Sequence, residues 1–283
     1  MKSDFFDVQL TDYTTSTGVI QLPVFYQRLR MRTINYFVEQ ERVLPLLKDT
    51  GLLPLRYFNG KVLTSLTWFN YQEVSLTAYD EVVLSVSVYP EALGKPSLPS
   101  LKMLVGRWQD SSKANMGVYV REMVVTIPEA RSGGREVWGY PKFLTQIPSD
   151  VAEKQFKFAV LDPDSGEAIV DVKGEMGRGL SVGAFNMITF SNHDDKILRT
   201  VVEAEGKLRL SGCKGIEVKV ASTSHRMAES LRALGLETAK PFGIMSSDYM
   251  RTKLNPGISV AEYKTPELPY QYAEELEFLK SKV

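Results

Sequence analysis

A two-residue hydrophobic repeat returns along most of this chain and restricts its fold more than any other feature. Val82, Leu84, Val86 and Val88 alternate with Glu81, Val83, Ser85 and Ser87. Successive side chains of an extended chain point to opposite faces, so this spacing predicts a strand with one strongly apolar side. Phe156, Phe158 and Val160 alternate with Gln155 and Lys157, and Ile216, Val218 and Val220 with Glu217 and Lys219. Residues 169–173 and 208–210 behave similarly, and further strands are expected at 28–36, 61–69, 117–127 and 257–263. Asp162-Pro163-Asp164-Ser165-Gly166 reads as a hairpin turn, because proline presets φ and glycine supplies a positive φ. Ser211-Gly212 to Gly215 reads as a second turn.

Helical signals are few. Glu39 to Leu47 carries Pro45, which ends or bends a helix. In Ser222 to Leu234, Met227, Leu231 and Leu234 fall at helical spacing, with Gly235 placed as a C-terminal cap. Glu274 to Lys282 suits a terminal helix. Many strands and few helices predict a mainly β, α+β fold in one domain over 1–283. Its antiparallel sheet is expected to be closed or double-layered, since an open sheet exposes unpaired edges.

Lys+Arg and Asp+Glu both number 34, so no charge excess points to nucleic acid or an anionic membrane. A single cysteine, Cys213, rules out an internal disulfide. No apolar run approaches the roughly 20 residues of a membrane helix, and the first residues lack a signal-peptide pattern. A soluble, cytoplasmic protein is expected. His193 and His225 are the only histidines, too few and too scattered for a transition-metal centre, so neither metal nor other cofactor is expected. Gly174-Glu175-Met176-Gly177-Arg178-Gly179 lacks the strand-to-helix setting of a dinucleotide site and reads as a loop.

The chemistry concentrates in Gly133-Gly134-Arg135-Glu136-Val137-Trp138-Gly139-Tyr140-Pro141-Lys142. If 137–142 is extended, Trp138, Tyr140 and Lys142 share one face, and the two aromatics would desolvate the amine. The plain alternative is a strand-entry turn with its lysine in solvent. Gly134-Arg135-Glu136 followed by Tyr140-Pro141-Lys142 resembles the signature of the acetoacetate decarboxylase family. Gly117-Val118-Tyr119, Tyr79-Asp80-Glu81 and Ser246-Ser247 extend the likeness along most of the chain. The resemblance implies a closed antiparallel β-cone with peripheral helices, a large homo-oligomer, and a Schiff base between Lys142 and a keto acid. A free ε-amine has a pKa of about 10.4, so such a lysine needs desolvation or a neighbouring cation to attack a carbonyl, the latter as in that family itself.

Two departures stand out. The family's second lysine is replaced by Phe143, and its upstream carboxylate, fifteen residues before Glu81, by Leu66. Both losses favour altered chemistry, such as aldol or dehydration steps on an α-keto acid or aldehyde; a non-enzymatic ligand-binding relative is the other alternative. The resemblance makes Glu81 the proton-transfer residue. It also implies a first-strand arginine for the substrate carboxylate. Arg28, Arg30 and Arg32 alternate on one face, and Arg30 is the choice among them. Arg135 and Glu136 are expected to pair internally and hold the turn.

Overall fold

The computed structural model describes residues 4–96 and 115–266, so the helix expected at 274–282 lies outside the described residues. One large sheet dominates, and seven of its strands close into a ring. In ring order they are Met187–His193, Gly117–Val125, Tyr79–Pro90, Val62–Val74, Val24–Val38, Pro241–Leu254 and Lys196–Val220. The last strand pairs back with the first. Closure removes the two edges that an open sheet would leave.

The ring is not antiparallel throughout. Thr189 and Phe190 pair in parallel with Val118 and Tyr119. On the same strand, Met123, Val124 and Val125 pair in parallel with Lys142, Phe143 and Leu144. Neighbouring parallel strands need a crossover, which here is the helix Pro128–Trp138.

Both faces of the ring are covered. Outside, Ile34, Leu66, Trp68, Val82 and Leu84 pack in one apolar cluster with Phe156, Phe158, Met227 and Leu231. Phe156 and Phe158 belong to Gln155–Leu161, and Met227 and Leu231 to the helix Arg226–Leu234. This helix ends at Gly235, left-handed at φ 70°. Inside, Leu29, Met31, Tyr71, Tyr79, Val83 and Met123 cluster with Trp138 and Tyr140.

The hairpin at 162–166 forms as the sequence predicts. Gly166 has φ 74°, and Asp162 Oδ1 accepts from the backbone N–H groups of Asp164 and Ser165 at 2.9 and 3.0 Å. Two other glycine-rich readings are corrected. Ser211 to Gly215 lies within the long strand Lys196–Val220, and Gly174 to Gly179 lies within Ala168–Gly183. These strands pair, and the glycines sit at two register shifts between them. A Cβ on Gly179 would stand 2.3 Å from the Leu210 carbonyl oxygen. The glycines therefore serve bulges and close backbone approach rather than turns. The helix expected at 39–47 is α only over Gln40–Val43 and continues as 3₁₀ over Leu44–Leu47, across Pro45. Among the described residues, no helix is long and apolar enough to cross a membrane.

Candidate active site

The signature segment is helical as far as Trp138, so 137–142 is not the extended run that would put Trp138, Tyr140 and Lys142 on one face. Pro128 opens Pro128–Trp138 at a first-turn position that needs no N–H donor. Gly139 closes it at φ 65°, and its N–H donates to the Arg135 carbonyl at 3.1 Å. Pro141 follows, and the chain turns into the short strand Lys142–Leu144. Trp138 and Lys142 thus lie on different elements, not on one strand face. The paired glycines that look like helix breakers allow close packing instead. A Cβ on Gly134 would stand 2.3 Å from Lys142 Cδ and 2.5 Å from its Cε, so the lysine stem lies directly on the helix backbone.

That packing holds Lys142 at 4% exposure, and Glu81 is equally buried. Nζ donates to Glu81 Oε2 at 2.9 Å. The other carboxylate oxygen, Oε1, accepts from the Tyr71 hydroxyl at 3.0 Å. Burial, then the negative charge of Glu81, push the Tyr71 phenol well above its usual range, so Tyr71 stays a proton donor to the carboxylate. The Tyr79 ring centroid lies 6.0 Å from Nζ, and the Tyr79 and Tyr26 hydroxyls are 3.3 Å apart. Tyr140 places its hydroxyl 2.6 Å from Thr189 Oγ1, and burial pushes its pKa up to about 12. Trp138 stacks on Tyr140 at a centroid distance of 6.2 Å, and its indole N–H donates to the Asn255 carbonyl at 2.9 Å.

The first-strand arginine does not meet the lysine. Met31 pairs with Phe69, and Phe69 with Glu81; Arg30 pairs with Asn70, and Asn70 with Asp80. Residues directly opposite in a sheet share a face, so Arg30 and Arg32 point away from Glu81. Arg30 donates to the Val151 carbonyl at 2.7 Å, and Arg32 pairs with Asp248 at 2.6 Å. Arg28 faces Glu73 at the exposed end. Leu66 also points outward, into the outer cluster. Its inward neighbours are Ser65, Thr67 and Phe69, so no carboxylate stands on that stretch of the inner face. Arg135 and Glu136 reach separate partners: Arg135 Nε bonds the Lys142 carbonyl, and Glu136 Oε2 accepts from the Ser16 N–H at 2.9 Å. Phe143 is buried in the outer cluster, 4.9 Å from the His225 ring.

Sequence reasoning missed Tyr71 and the packing role of Gly134. The two-residue spacing Thr67, Phe69, Tyr71 on the strand paired with Glu81 was the available signal for the tyrosine.

A cavity of about 660 Å³ lies within the ring, and each of the seven strands contributes to its wall; Lys142 and Glu81 do not line it, and their nearest link to it is Phe69, which pairs with Glu81. Met31, Thr67 and Phe69 lie at the lysine end, next to Glu81 and Val83 in the sheet. Phe58 and Phe242 stand at the other end. Among the described residues, no cluster of three or more His, Cys, Asp or Glu side chains is arranged to hold a metal.

A closed ring around a cavity, with a buried lysine–glutamate pair on its inner face, is the architecture of a small-molecule enzyme. The family model for acetoacetate decarboxylase matches residues 10–206, and the chain belongs to that family. The fold is similar to acetoacetate decarboxylase from Legionella pneumophila, at TM-score 0.56 and 13% identity over 92% of this chain and 94% of that one. It is also similar to the enduracididine biosynthesis enzyme MppR complexed with pyruvate, at TM-score 0.57 and 12% identity over 91% and 100%. An acetoacetate decarboxylase-like enzyme from Sphingomonas wittichii matches at TM-score 0.55 and 11% identity over 86% and 94%. No curated protein matches the sequence. The protein is an acetoacetate decarboxylase-like enzyme.

Proposed function

We propose that the protein forms a Schiff base between Lys142 and a carbonyl substrate, with Glu81 moving the protons and Tyr71 holding Glu81 in place. One observation carries this reading: the Lys142 amine is buried, and the group it touches at 2.9 Å is a buried carboxylate that lies opposite the cavity-lining Phe69 in the sheet. A buried ion pair adds little stability over a well-packed apolar pair. A buried pair whose carboxylate sits opposite the cavity-lining Phe69 is therefore better explained by chemistry. Glu81 takes a proton from the ammonium, and the neutral amine attacks the carbonyl carbon. The carbinolamine oxygen then leaves as water, protonated by Glu81, and an iminium remains. If the substrate is a β-keto acid, the iminium accepts the electrons released with carbon dioxide, and the resulting enamine is reprotonated.

A second reading has a specific observation behind it. With Phe143 in place of a second lysine, and Arg30 and Arg32 on the far face, an aldol or dehydration reaction through the same iminium fits as well as decarboxylation. Borohydride reduction with acetoacetate, pyruvate or an aldehyde, followed by peptide mass mapping, tests the proposal. An adduct on Lys142 that disappears in Lys142→Arg is expected. Its absence with every carbonyl tried would leave a non-enzymatic ligand-binding relative. We also propose self-association, which a monomeric sedimentation profile at micromolar concentration would refute.

A further inference from the structure

We infer that the cavity within the ring accepts an uncharged, largely apolar carbonyl compound of drug-like size, rather than a small free keto acid. Its volume of about 660 Å³ lies in the range that encloses a drug-sized molecule, and a pyruvate-sized ligand would leave most of it empty. Among the described residues of its wall none carries a charge. A carboxylate moved into such a wall would lose its hydration without gaining a cation from any described residue of it.

The polar groups present are neutral and largely satisfied by one another. Ser65 Oγ donates to Asn35 Oδ1 at 2.7 Å, and Thr67 Oγ1 to Thr33 Oγ1 at 3.1 Å. The mouth is apolar. Phe58 is 68% and Phe242 60% exposed, both line the cavity, and both pack edge-on against Phe37. Exposed aromatics gathered at one opening suit the entry of an apolar molecule. The ligand would lie with its carbonyl at the Lys142 end, next to Phe69 and Met31, and its tail between Phe58 and Phe242.

The covalent half of this inference rests on the Schiff-base reading; the neutral, apolar preference of the cavity does not. On imine formation a C–N bond forms, the carbonyl oxygen leaves as water, and borohydride reduces C=N to an amine, so the adduct adds the ketone less its oxygen.

Two measurements on the intact protein test both halves. In the first, the neutral fluorophore N-phenyl-1-naphthylamine is titrated and then displaced with 2-undecanone, acetoacetate or pyruvate. Saturable binding is expected, retained in Lys142→Arg and displaced at least tenfold more effectively by the ketone than by either acid. Binding should weaken about tenfold in Phe58→Ala/Phe242→Ala, whose exposed side chains can be removed without disturbing the core. In the second, borohydride trapping compares 2-undecanone with the two acids, and the Lys142 adduct is expected with the ketone. Trapping by the acids without displacement or trapping by the ketone would overturn the inference and leave the Schiff-base reading standing. Displacement by the ketone with no Lys142 adduct from any compound would sink the Schiff-base reading and keep the neutral preference. A failure of the fluorophore to saturate, or equal displacement by acids and ketone, would also overturn the inference.

Discussion

The two faces of the strand Tyr79–Pro90 are both buried and are built for opposite purposes. Outward, Val82, Leu84, Val86 and Val88 are each 0% exposed and entirely aliphatic. Inward, Glu81, Ser85 and Ser87 are also buried, at 4%, 7% and 2%. The strand Val62–Val74 repeats the division, with Leu66 and Trp68 outward and Ser65, Thr67 and Tyr71 toward the cavity side. The outer face gains stability by removing hydrocarbon from water. The inner face gives up some of that gain and holds polar groups in a low-dielectric space, where charges interact strongly. The lesson is that closure of the ring, not hydrophobicity, withdraws the polar inner face from bulk solvent.

Mutations on the two faces should separate stability from chemistry. The largest effect is expected from Lys142→Arg, which should abolish borohydride trapping while the protein stays folded, because guanidinium does not form the imine. Glu81→Gln should slow trapping by about a hundredfold or more, the usual scale for losing a proton-transfer group. Lys142→Met leaves Glu81 buried without its cation and should destabilise by about 3–5 kcal/mol. The double variant with Glu81→Gln should recover much of that in a denaturant titration. If the single and double variants unfold alike, the pair is not energetically coupled.

Across the strand, Leu84→Ala should cost about 2–5 kcal/mol through lost contacts and a cavity and leave trapping nearly unchanged. Its inward neighbour Ser85→Ala should shift stability by no more than about 0.5–1 kcal/mol. Equal losses at both positions would erase the distinction between the faces. Gly134→Ala pushes the Lys142 stem off the helix, so trapping should fall about tenfold, equivalent to roughly 1.4 kcal/mol, with little change in melting temperature.

The smallest effect concerns pH. Burial raises the Tyr140 pKa above its ordinary value of 10.0, to about 12. Its contribution to stability is therefore fully present below pH 10 and is lost as the pH rises through about 12. Tyr140→Phe should flatten part of the alkaline loss of stability measured by denaturant titration.

The alternation of Val82, Leu84, Val86 and Val88 made the strand legible, because a period of two has only one regular backbone to fit. Asp162 to Gly166 was legible as a turn for a similarly local reason, in its proline and glycine. The glycines at 174–179 and 211–215 misled, since a bulge in a paired strand and a turn draw on the same residue. The run from Gly133 to Trp138 misled as well. Its glycines are poor helix formers by local propensity, yet they lie in a helix whose backbone must touch the Lys142 stem, and tertiary packing overrides propensity.

The sequence by itself determined the β-rich class, the family signature ending at Lys142, and the absence of a second lysine at Phe143. Each of these is written in residue type and spacing along a single segment. Only the tertiary structure decided that Glu81, sixty-one residues away in sequence, meets Lys142, that Tyr71 holds that carboxylate, and that Arg30 faces away. Spacing says which residues share a face; which face encloses the cavity depends on how seven strands, distant in sequence, close their ring.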